Sequence, residues 1–464
     1  MKTRELSSAA TAPEQGAGSL WGLLIGLMIP VGMTTFNMSM FSVALPTVRD
    51  AFGAEADLTA WLVTAYSLPF VIFMPLYGKL GDSLGKARLF QSGIVLFFIG
   101  TLVCLLARDL PQLLIGRILQ GTGTAGFYPL CIAIIAERFP PSHQGRAMGT
   151  WSSVAPGAAS LGPLLGGFAV NQFGWNYVFV PSLLVGVVAL WVVYRQVPAQ
   201  RPVSGEGLQA FDWQGAAFLG GTLVFAMFYL SSRTVSGVEP LRDWRFLAAA
   251  IAMGFLFWRR ESRTAKPLVN FALYSCKNFG VASMSAGCRM IIMHTVNFLY
   301  VLYLTDVYGL SAMTLGAFST VFAVAILTTT RLGGQLADRI HYRWIVGSSF
   351  AIQCGALAGL ALFTPPLFGA AGLILAQALG GGLALAALHR AAMEEIPAAE
   401  SGAAAGLYST ARFGGGVIGA TIAGVALQQA LRFAPGPGEA FQWVFGAVAV
   451  ISLASVLVAW RLQR

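Results

Sequence analysis

The sequence contains little charge. Only 10% of its 464 residues are Asp, Glu, Lys or Arg, whereas 56% are hydrophobic, and the mean hydropathy is +0.70. A soluble protein of this length could not keep so much apolar surface away from water, so most of it must face lipid or other membrane helices. The apolar runs are also far longer than the roughly ten alternating residues of a barrel strand. The composition therefore excludes a soluble domain and a β-barrel, and it predicts an all-α polytopic membrane protein.

Sequence patterns of enzymes and metal sites are missing as well. The five cysteines are odd in number and lack metal-ligand spacing, and the chain has no Gly-rich phosphate loop and no convincing Ser/His/Asp set. We therefore expect no cofactor, no metal and no catalytic residues, which leaves a membrane enzyme or a non-transporting sensor as weaker alternatives. Without an ATP-binding loop, energy must come from an ion or substrate gradient. The net charge of +10 is spread over short loops, so nucleic acid is not a predicted partner.

Apolar segments long enough to cross a bilayer recur along the whole chain. A span needs about 20 apolar residues, and fourteen segments qualify, of which 245–258 is short. The predicted spans are 20–45, 58–78, 89–107, 112–136, 146–171, 176–194, 213–231, 245–258, 279–304, 313–333, 343–363, 367–388, 402–428 and 440–460.

The loops between these spans carry an asymmetric positive charge. If the N-terminus is cytoplasmic, 20 Lys and Arg lie on the cytoplasmic side and 6 on the other side, while Arg117, Arg289 and Arg412 lie inside spans. Because Lys and Arg accumulate in cytoplasmic loops, this bias predicts a multi-pass protein of the inner (plasma) membrane with both termini in the cytoplasm.

A charged turn occurs twice at the same predicted membrane face. Gly78–Arg88 (GKLGDSLGKAR) is echoed 256 residues later by Gly334–Trp344 (GQLADRIHYRW). The offset carries the turn after the second span onto the turn after the tenth, so the repeat predicts two similar six-helix bundles with two additional helices between them. The predicted parts are a tail at 1–19, a bundle at 20–194, a linker at 195–212, inserted helices at 213–258, a linker at 259–278 and a second bundle at 279–464.

Several motifs in the expected order resemble the major facilitator superfamily, more narrowly its fourteen-helix drug:proton antiporter branch. The turn Gly78–Arg88 fits that family, and so does the fourth-span pattern containing Arg117 and Gln120. The fifth span is similar to the family's antiporter signature at Gly149, Gly162, Pro163, Gly166 and Gly167. The resemblance implies the major facilitator fold and a secondary exporter of drugs that works by proton antiport and alternating access.

The two charged turns are predicted to latch one conformation at the cytoplasmic face. Gly81 and Gly85 would permit tight backbone contact, and Asp82 is suited to bind a cation or a helix N-terminus across the interface between the bundles. An inside-positive anchor is the alternative role for Lys86 and Arg88. The predicted latch residues are Gly78, Gly81, Asp82, Gly85, Lys86, Arg88, Asp338 and Arg339.

Charged side chains inside the spans are candidates for a proton relay or a substrate path, because an ionisable group at bilayer depth is costly. No Asp or Glu lies in the middle of a span, and Asn37 stands where the resemblance leads us to expect an acid. Buried positive charge without an acid favours anionic or neutral ligands, including weak acids. The predicted path residues are Arg117, Gln120, Arg289, His294, Arg412 and Asn37. The alternatives are structural hydrogen bonds to carbonyls for Arg117, a structural role for Arg412, snorkelling towards the cytoplasm for Arg289 and packing for His294.

Together these features predict an exporter of small amphipathic compounds, with a specific exporter of an organic anion or weak acid as the alternative. The expected partners are a small amphipathic or anionic substrate, protons and the lipid bilayer. A periplasmic adaptor is compatible with the resemblance, although nothing in the sequence indicates one.

Overall fold

The computed structural model is all-helical over the residues that it describes. These are residues 17–140, 147, 150–151, 153–196, 212–230, 232, 236–264, 274, 276, 278–337, 339–394, 396 and 401–463. Within them no strand is present and fifteen long α-helices follow one another along the chain. The helix boundaries are set mainly by polar turns, because apolar residues dominate every helix interior.

The first half of the chain forms seven of these helices. A short 3-10 turn, Trp175–Phe179, leads into the seventh helix. The helices are α1 (Ala17–Phe52), α2 (Ala56–Leu84), α3 (Lys86–Leu105), α4 (Leu110–Thr124), α5 (Phe127–Arg138), α6 (Val154–Phe173) and α7 (Val180–Gln196).

Two helices then form a hairpin, and six more complete the chain. The hairpin consists of α8 (Trp213–Leu230) and α9 (Trp244–Glu261). The last six helices are α10 (Phe279–Asp306), α11 (Ala312–Ala337), α12 (Tyr342–Leu362), α13 (Leu367–Met393), α14 (Ser401–Phe433) and α15 (Pro437–Ala459).

The predicted all-α fold with fourteen spans is confirmed. The fourth span is made of α4 and α5, which are separated by a turn at Ala125 and Gly126. Twelve spans in the described part of the chain are long and apolar enough by composition alone. The remaining two are α6 and α9, and α9 is less apolar because it carries Arg245, Arg259 and Arg260.

Helices pack in two groups that meet along two seams. In the first group α1 packs against α6 and α7, and α4 packs against α2 and α3. In the second group α10 packs against α13, α14 and α15, while α13 also contacts α11 and α12. The seams between the groups are formed by α6 with α11 and by α2 with α14. The hairpin helices α8 and α9 contact mainly each other, with α8 also touching α2 and α14. The exact domain boundaries stay a prediction.

Candidate functional site

A cavity of about 350 Å³ lies between the two groups of helices. Helices α1, α2, α4 and α6 contribute lining residues from the first group, and α10, α11 and α13 contribute them from the second. Most of its wall is apolar, with methionine and aromatic side chains such as Met38, Phe41, Met293 and Phe322. The cavity is therefore shared between both halves of the repeat.

Arg117 on α4 lines this cavity and is fully buried. Its Nε donates to the carbonyl of Leu62 at 3.0 Å, and its Nη1 donates to Oε1 of Gln120 at 3.0 Å. The guanidinium also lies over the rings of Phe41 and Tyr66, 4.3 Å and 4.8 Å from their centroids. These neutral partners hold the group in place by hydrogen bonds and cation–π contacts, and no described carboxylate forms an ion pair with it.

Gln120 supports Arg117 and does not itself line the cavity. Its Oε1 accepts from Arg117, and its Nε2 donates to Oγ1 of Thr101 on α3 at 2.9 Å. Because both ends of the amide are used, the orientation of Gln120 is fixed, and it fixes Arg117 in turn. The sequence predicts a proton-relay or substrate-path role for Gln120. In the structure Gln120 lies behind Arg117 and not in the cavity lining.

Arg289 on α10 lines the cavity from the second group and is 4% exposed. Its Nε donates to the carbonyl of Gly381 on α13 at 2.6 Å. No carboxylate in the described part of the chain pairs with it. Arg289, which matches no family motif, thus occupies a place in the second group comparable to that of Arg117 in the first.

The other predicted path residues are divided between the cavity and its surroundings. His294 on α10 lines the cavity, with its imidazole packed against Gly416 of α14. Arg412 on α14 is not part of the lining, and its guanidinium lies 4.7 Å from the ring centroid of Phe413. The Nε of Arg412 has no hydrogen-bond partner among the described residues. Arg412 therefore adds positive charge behind the cavity wall.

Asn37 on α1 lies outside the cavity lining, unlike the prediction for it. Its Nδ2 donates to Oγ of Ser182 on α7 at 3.0 Å, within the first group of helices. The sequence pattern identifies Asn37 as a candidate but not the side of α1 on which it lies, because the rotation of a nearly uniformly apolar helix cannot be read from hydropathy. Asn37 joins α1 to α7.

The glycines of the predicted antiporter motif serve two different contacts. Gly162 and Gly166 on α6 lie against Ser39 and Met40 of α1 so closely that neither has room for a Cβ.

Gly167 lies against the backbone of α11 at Ala312 and Gly316, across a seam between the two groups. Pro163 lines the cavity. Gly149 lies outside the described residues. Small residues here permit close helix approach, as expected for membrane helices.

Several of the predicted latch residues lie in the described parts of the two charged turns. Gly85 has φ +91°, a backbone conformation that glycine adopts at little cost, and it lets α3 begin directly after α2. Lys86 forms an ion pair with Glu137 of α5, within the first group, and Arg88 is exposed. Arg339 forms a turn through its backbone N–H to the carbonyl of Leu336.

Of the remaining predicted latch residues, Gly81 on α2 lies against the side chain of Leu130 on α5. The surroundings of Gly78, the side chain of Asp82 and the whole of Asp338 lie outside the described residues. The latch role therefore stays a prediction.

A set of polar contacts that sequence reasoning missed joins the two groups at the opposite face. We call this the outer face, because the charge bias predicts it to be extracytoplasmic. Nη1 and Nη2 of Arg49, at the end of α1, donate to both carboxylate oxygens of Asp306, at the end of α10, at 2.6 and 2.8 Å. A signal was available, since both residues end spans that are predicted to finish at the same face.

Two further contacts reinforce the outer face. Nε2 of Gln428 on α14 donates to the carboxylate of Glu55, next to α2, at 2.7 Å. Arg432 on α14 donates to Glu239, in the hairpin connection, at 2.7 Å. The contacts of Arg49 and Glu55 thus link the two groups at this face, and that of Glu239 links the hairpin connection to α14.

Comparison with known proteins agrees with this architecture. The family model described as "Major Facilitator Superfamily" matches residues 27–293 and 280–464. This chain belongs to the Major Facilitator Superfamily. It is therefore a multi-pass membrane transporter, and the predicted family is confirmed.

Relatives with names that indicate transport of small molecules cover most of the chain. The riboflavin transporter RibZ of Clostridioides difficile is 27% identical and covers 74% of this chain and 73% of its own length. The tetracenomycin C resistance and export protein of Streptomyces glaucescens is 27% identical over 91% of this chain and 79% of its own length. The multidrug resistance protein Stp of Mycobacterium tuberculosis (strain CDC 1551 / Oshkosh) is 26% identical over 87% and 75%.

The fold is also similar to that of solved transporters. The crystal structure of a D-xylose–proton symporter matches with a TM-score of 0.68 over 96% of this chain and 98% of that chain, at 15% sequence identity. At that identity the match shows a shared fold alone.

Proposed function

We propose that this transporter exports small amphipathic compounds across the cytoplasmic membrane by alternating access. The observation that carries the proposal is the cavity between the two groups of helices. Since each group supplies part of the wall, rocking one group against the other would expose the cavity first to one side and then to the other. The ion pair of Arg49 with Asp306 joins the two groups at the outer face, so opening that face would break it.

The character of the cavity wall supports an amphipathic substrate. Met38, Met290 and Met293 offer flexible, polarisable contacts, and Phe41 and Phe322 offer flat apolar faces. Surfaces of this kind can repack around ligands of different shape. Relatives named for multidrug resistance and for tetracenomycin C export support export of small organic compounds, and proton antiport is the coupling that the resemblance implies.

A second candidate is a specific exporter of an organic anion or weak acid. It is favoured by Arg117 and Arg289, which bring positive charge to the cavity from both groups of helices. The relative named as a riboflavin transporter supports the general idea of one preferred metabolite.

Flux measurements on purified protein in proteoliposomes test the proposal. The panel contains riboflavin, aromatic acids, fatty acids and cationic dyes, each compared with and without an imposed pH gradient. We expect protein-dependent flux of at least one amphipathic class, accelerated by the pH gradient if protons are exchanged. No protein-dependent flux of any class, in protein shown to be folded, would contradict the proposal.

Two matched variants on α10 locate the path. Met293 lines the cavity, whereas Met284 on the same helix is 51% exposed at the protein surface. Met293→Trp should fill the cavity and reduce flux at least tenfold, while Met284→Trp should leave flux unchanged. Equal flux in both variants would place the substrate path elsewhere.

A further inference from the structure

The charges around the cavity indicate both the sign of the substrate and the force that moves it. We propose that the transported species is an amphipathic organic anion and that the membrane potential drives its export without proton exchange. This inference rests on the proposed export function, takes its organic-anion candidate further, and replaces the proton as the driving ion.

Positive charge reaches the cavity from both halves of the transporter. Arg117 comes from α4 and Arg289 from α10, and both are buried in the cavity wall. Their hydrogen bonds run to neutral groups, namely the Leu62 carbonyl and Gln120 for Arg117 and the Gly381 carbonyl for Arg289. Such bonds orient a guanidinium but do not neutralise it.

Among the residues that the structure describes, no acid lies in the cavity lining to balance these charges. In the sequence each of the 19 acids lies in the N-terminal tail, in a segment between spans or within about one turn of a span end. The described acid that comes from the end of α10, Asp306, is already paired with Arg49 at the outer face. His294 in the lining can add positive charge but no negative charge. Tyr300 also lines the cavity, but an ordinary phenol is neutral near pH 7, and its hydroxyl donates to Oγ of Ser319.

A buried charge without a counterion is costly, so a ligand that supplies the counterion is favoured. A cation entering between Arg117 and Arg289 would instead add to the repulsion, because both charges act across a water-poor site. The apolar wall formed by Met290, Met293 and Phe322 suits an aromatic or aliphatic body attached to the anionic group. The cavity thus fits an anionic head group with a hydrophobic body.

An anion of this kind needs no proton to leave the cell. With the cell interior negative, moving one negative charge outward is worth about 2.3 kcal/mol per 100 mV, which corresponds to about a 50-fold concentration ratio. Proton antiport needs a group in the path that binds and releases a proton, commonly a carboxylate, and the described lining of the cavity contains no carboxylate. Its imidazole, His294, would on protonation become a further positive charge in the same lining as Arg117 and Arg289, which is costly in a water-poor site. The charge arrangement therefore favours electrogenic uniport.

Efflux of two matched probes from proteoliposomes tests the inference. The probes are 2-naphthalenesulfonate, a permanent anion, and 2-naphthyltrimethylammonium, a permanent cation with the same ring system. Potentials are set with potassium gradients and valinomycin at equal pH, and pH gradients are set separately with the potential clamped at zero. We expect sulfonate efflux that increases with an inside-negative potential, is unaffected by the pH gradient, and exceeds cation efflux at least tenfold.

Variants of Arg289 connect the flux to the proposed charge. Arg289→Gln should reduce sulfonate efflux at least tenfold, and Arg289→Lys should retain more of it because the charge remains. Arg331→Gln, at an exposed position of α11, should match the wild type. If Arg289→Gln fails to fold, the dependence of sulfonate efflux on membrane potential in the wild type and in Arg289→Lys still tests the inference.

The possible failures are distinguishable. Sulfonate efflux that follows only the pH gradient, or efflux of the cation without the anion, would overturn this inference and leave the export function standing. Full sulfonate efflux by Arg289→Gln would also overturn it. Absence of efflux for both probes, together with no flux of the wider panel, would overturn the inference and the proposed function alike.

Discussion

The outer face and the central cavity differ in how their charged side chains are partnered. At the outer face Arg49 of the first group is paired with Asp306 of the second through two hydrogen bonds. In the cavity Arg117 and Arg289 have only neutral partners among the described residues. A pair that joins the two groups favours one arrangement of them, whereas an unbalanced charge in a cavity favours a ligand. The comparison separates residues that set the conformation from residues that select the substrate.

The largest expected effect comes from the helix contact beneath the outer face. Gly167→Ala places a Cβ against the Ala312 backbone of α11, whereas Gly157→Ala on the same helix meets open space. Overpacking of this kind costs about 1–3 kcal/mol, so Gly167→Ala should shift the population toward an open outer side and reduce transport about tenfold or more. Labelling of Ser42→Cys, a cavity position, by an impermeant maleimide from outside checks this.

For that measurement the five native cysteines are first replaced, and Gly157→Ala serves as the control. It should behave as the wild type. Equal labelling rates for Gly157→Ala and Gly167→Ala would show that close packing of α6 on α11 does not close the outer side.

Removing the cavity charge from the first group should have the next largest effect. Arg117→Ala loses the bonds to Leu62 and Gln120, and hydrogen bonds of charged groups contribute about 1.5–3 kcal/mol each. We expect transport to fall at least tenfold, with partial activity in Arg117→Lys. Flux of the best panel compound measures this, with Arg331→Ala as the control. Wild-type flux in Arg117→Ala would remove the residue from the substrate path.

Breaking the ion pair at the outer face should have a smaller effect. Arg49 and Asp306 are partly exposed, and pairs of this type contribute up to about 1 kcal/mol. Arg49→Ala and Asp306→Ala should each change transport about two- to fivefold, and the double variant should be no worse than either single one. Additive losses in the double variant would mean that the two residues act separately.

A charge pair that stays inside the hairpin should have the smallest effect. Asp243 precedes α9, and hydrogen bonds from Arg245 and Ser236 lower the pKa of its carboxyl below the usual value. The stabilisation is present above the ordinary Asp pKa of about 4 and is lost as pH falls through the lowered value. Asp243→Asn should slightly lower the thermal stability at pH 7 with transport unchanged, and this difference should vanish in strong acid.

The Asp243–Arg245 pair does not cross between the two groups of helices. A transport defect in Asp243→Asn would therefore contradict the view that pairs joining the two groups set the conformation. Thermal unfolding at several pH values and flux at pH 7 are the two measurements needed.

The sequence predicts the positions of the spans better than the prolines within them and the breaks between their helices. Most helix ends lie within a few residues of the predicted ones, because polar turns interrupt long apolar runs. The predicted first span ends near Pro46, whereas α1 continues to Phe52 and contains Pro30 and Pro46. The break at Ala125 and Gly126 was not predicted either, since both residues lie in a run of suitable hydropathy.

The candidate site was only partly predictable. Arg117, Arg289 and His294 were selected because charge inside a span is costly, and all three line the cavity. Gln120 and Asn37 were selected from patterns, but their direction depends on helix rotation and packing. The partners of Arg49 and Glu239 are distant in sequence, so only the folded arrangement of the helices shows those contacts.

Spin-label distances across the two faces test alternating access most directly. The labels are placed in a background without native cysteines. One pair replaces Ala51 and Val307 at the outer face, and a second pair replaces Leu84 and Ile340 at the opposite face. In each pair the first residue belongs to the first group of helices and the second residue lies at the end of a helix of the second group. We predict that Gly167→Ala lengthens the outer distance and shortens the inner one in the same sample. An outer distance that changes while the inner one stays constant would contradict the rocking of two groups of helices around a central cavity.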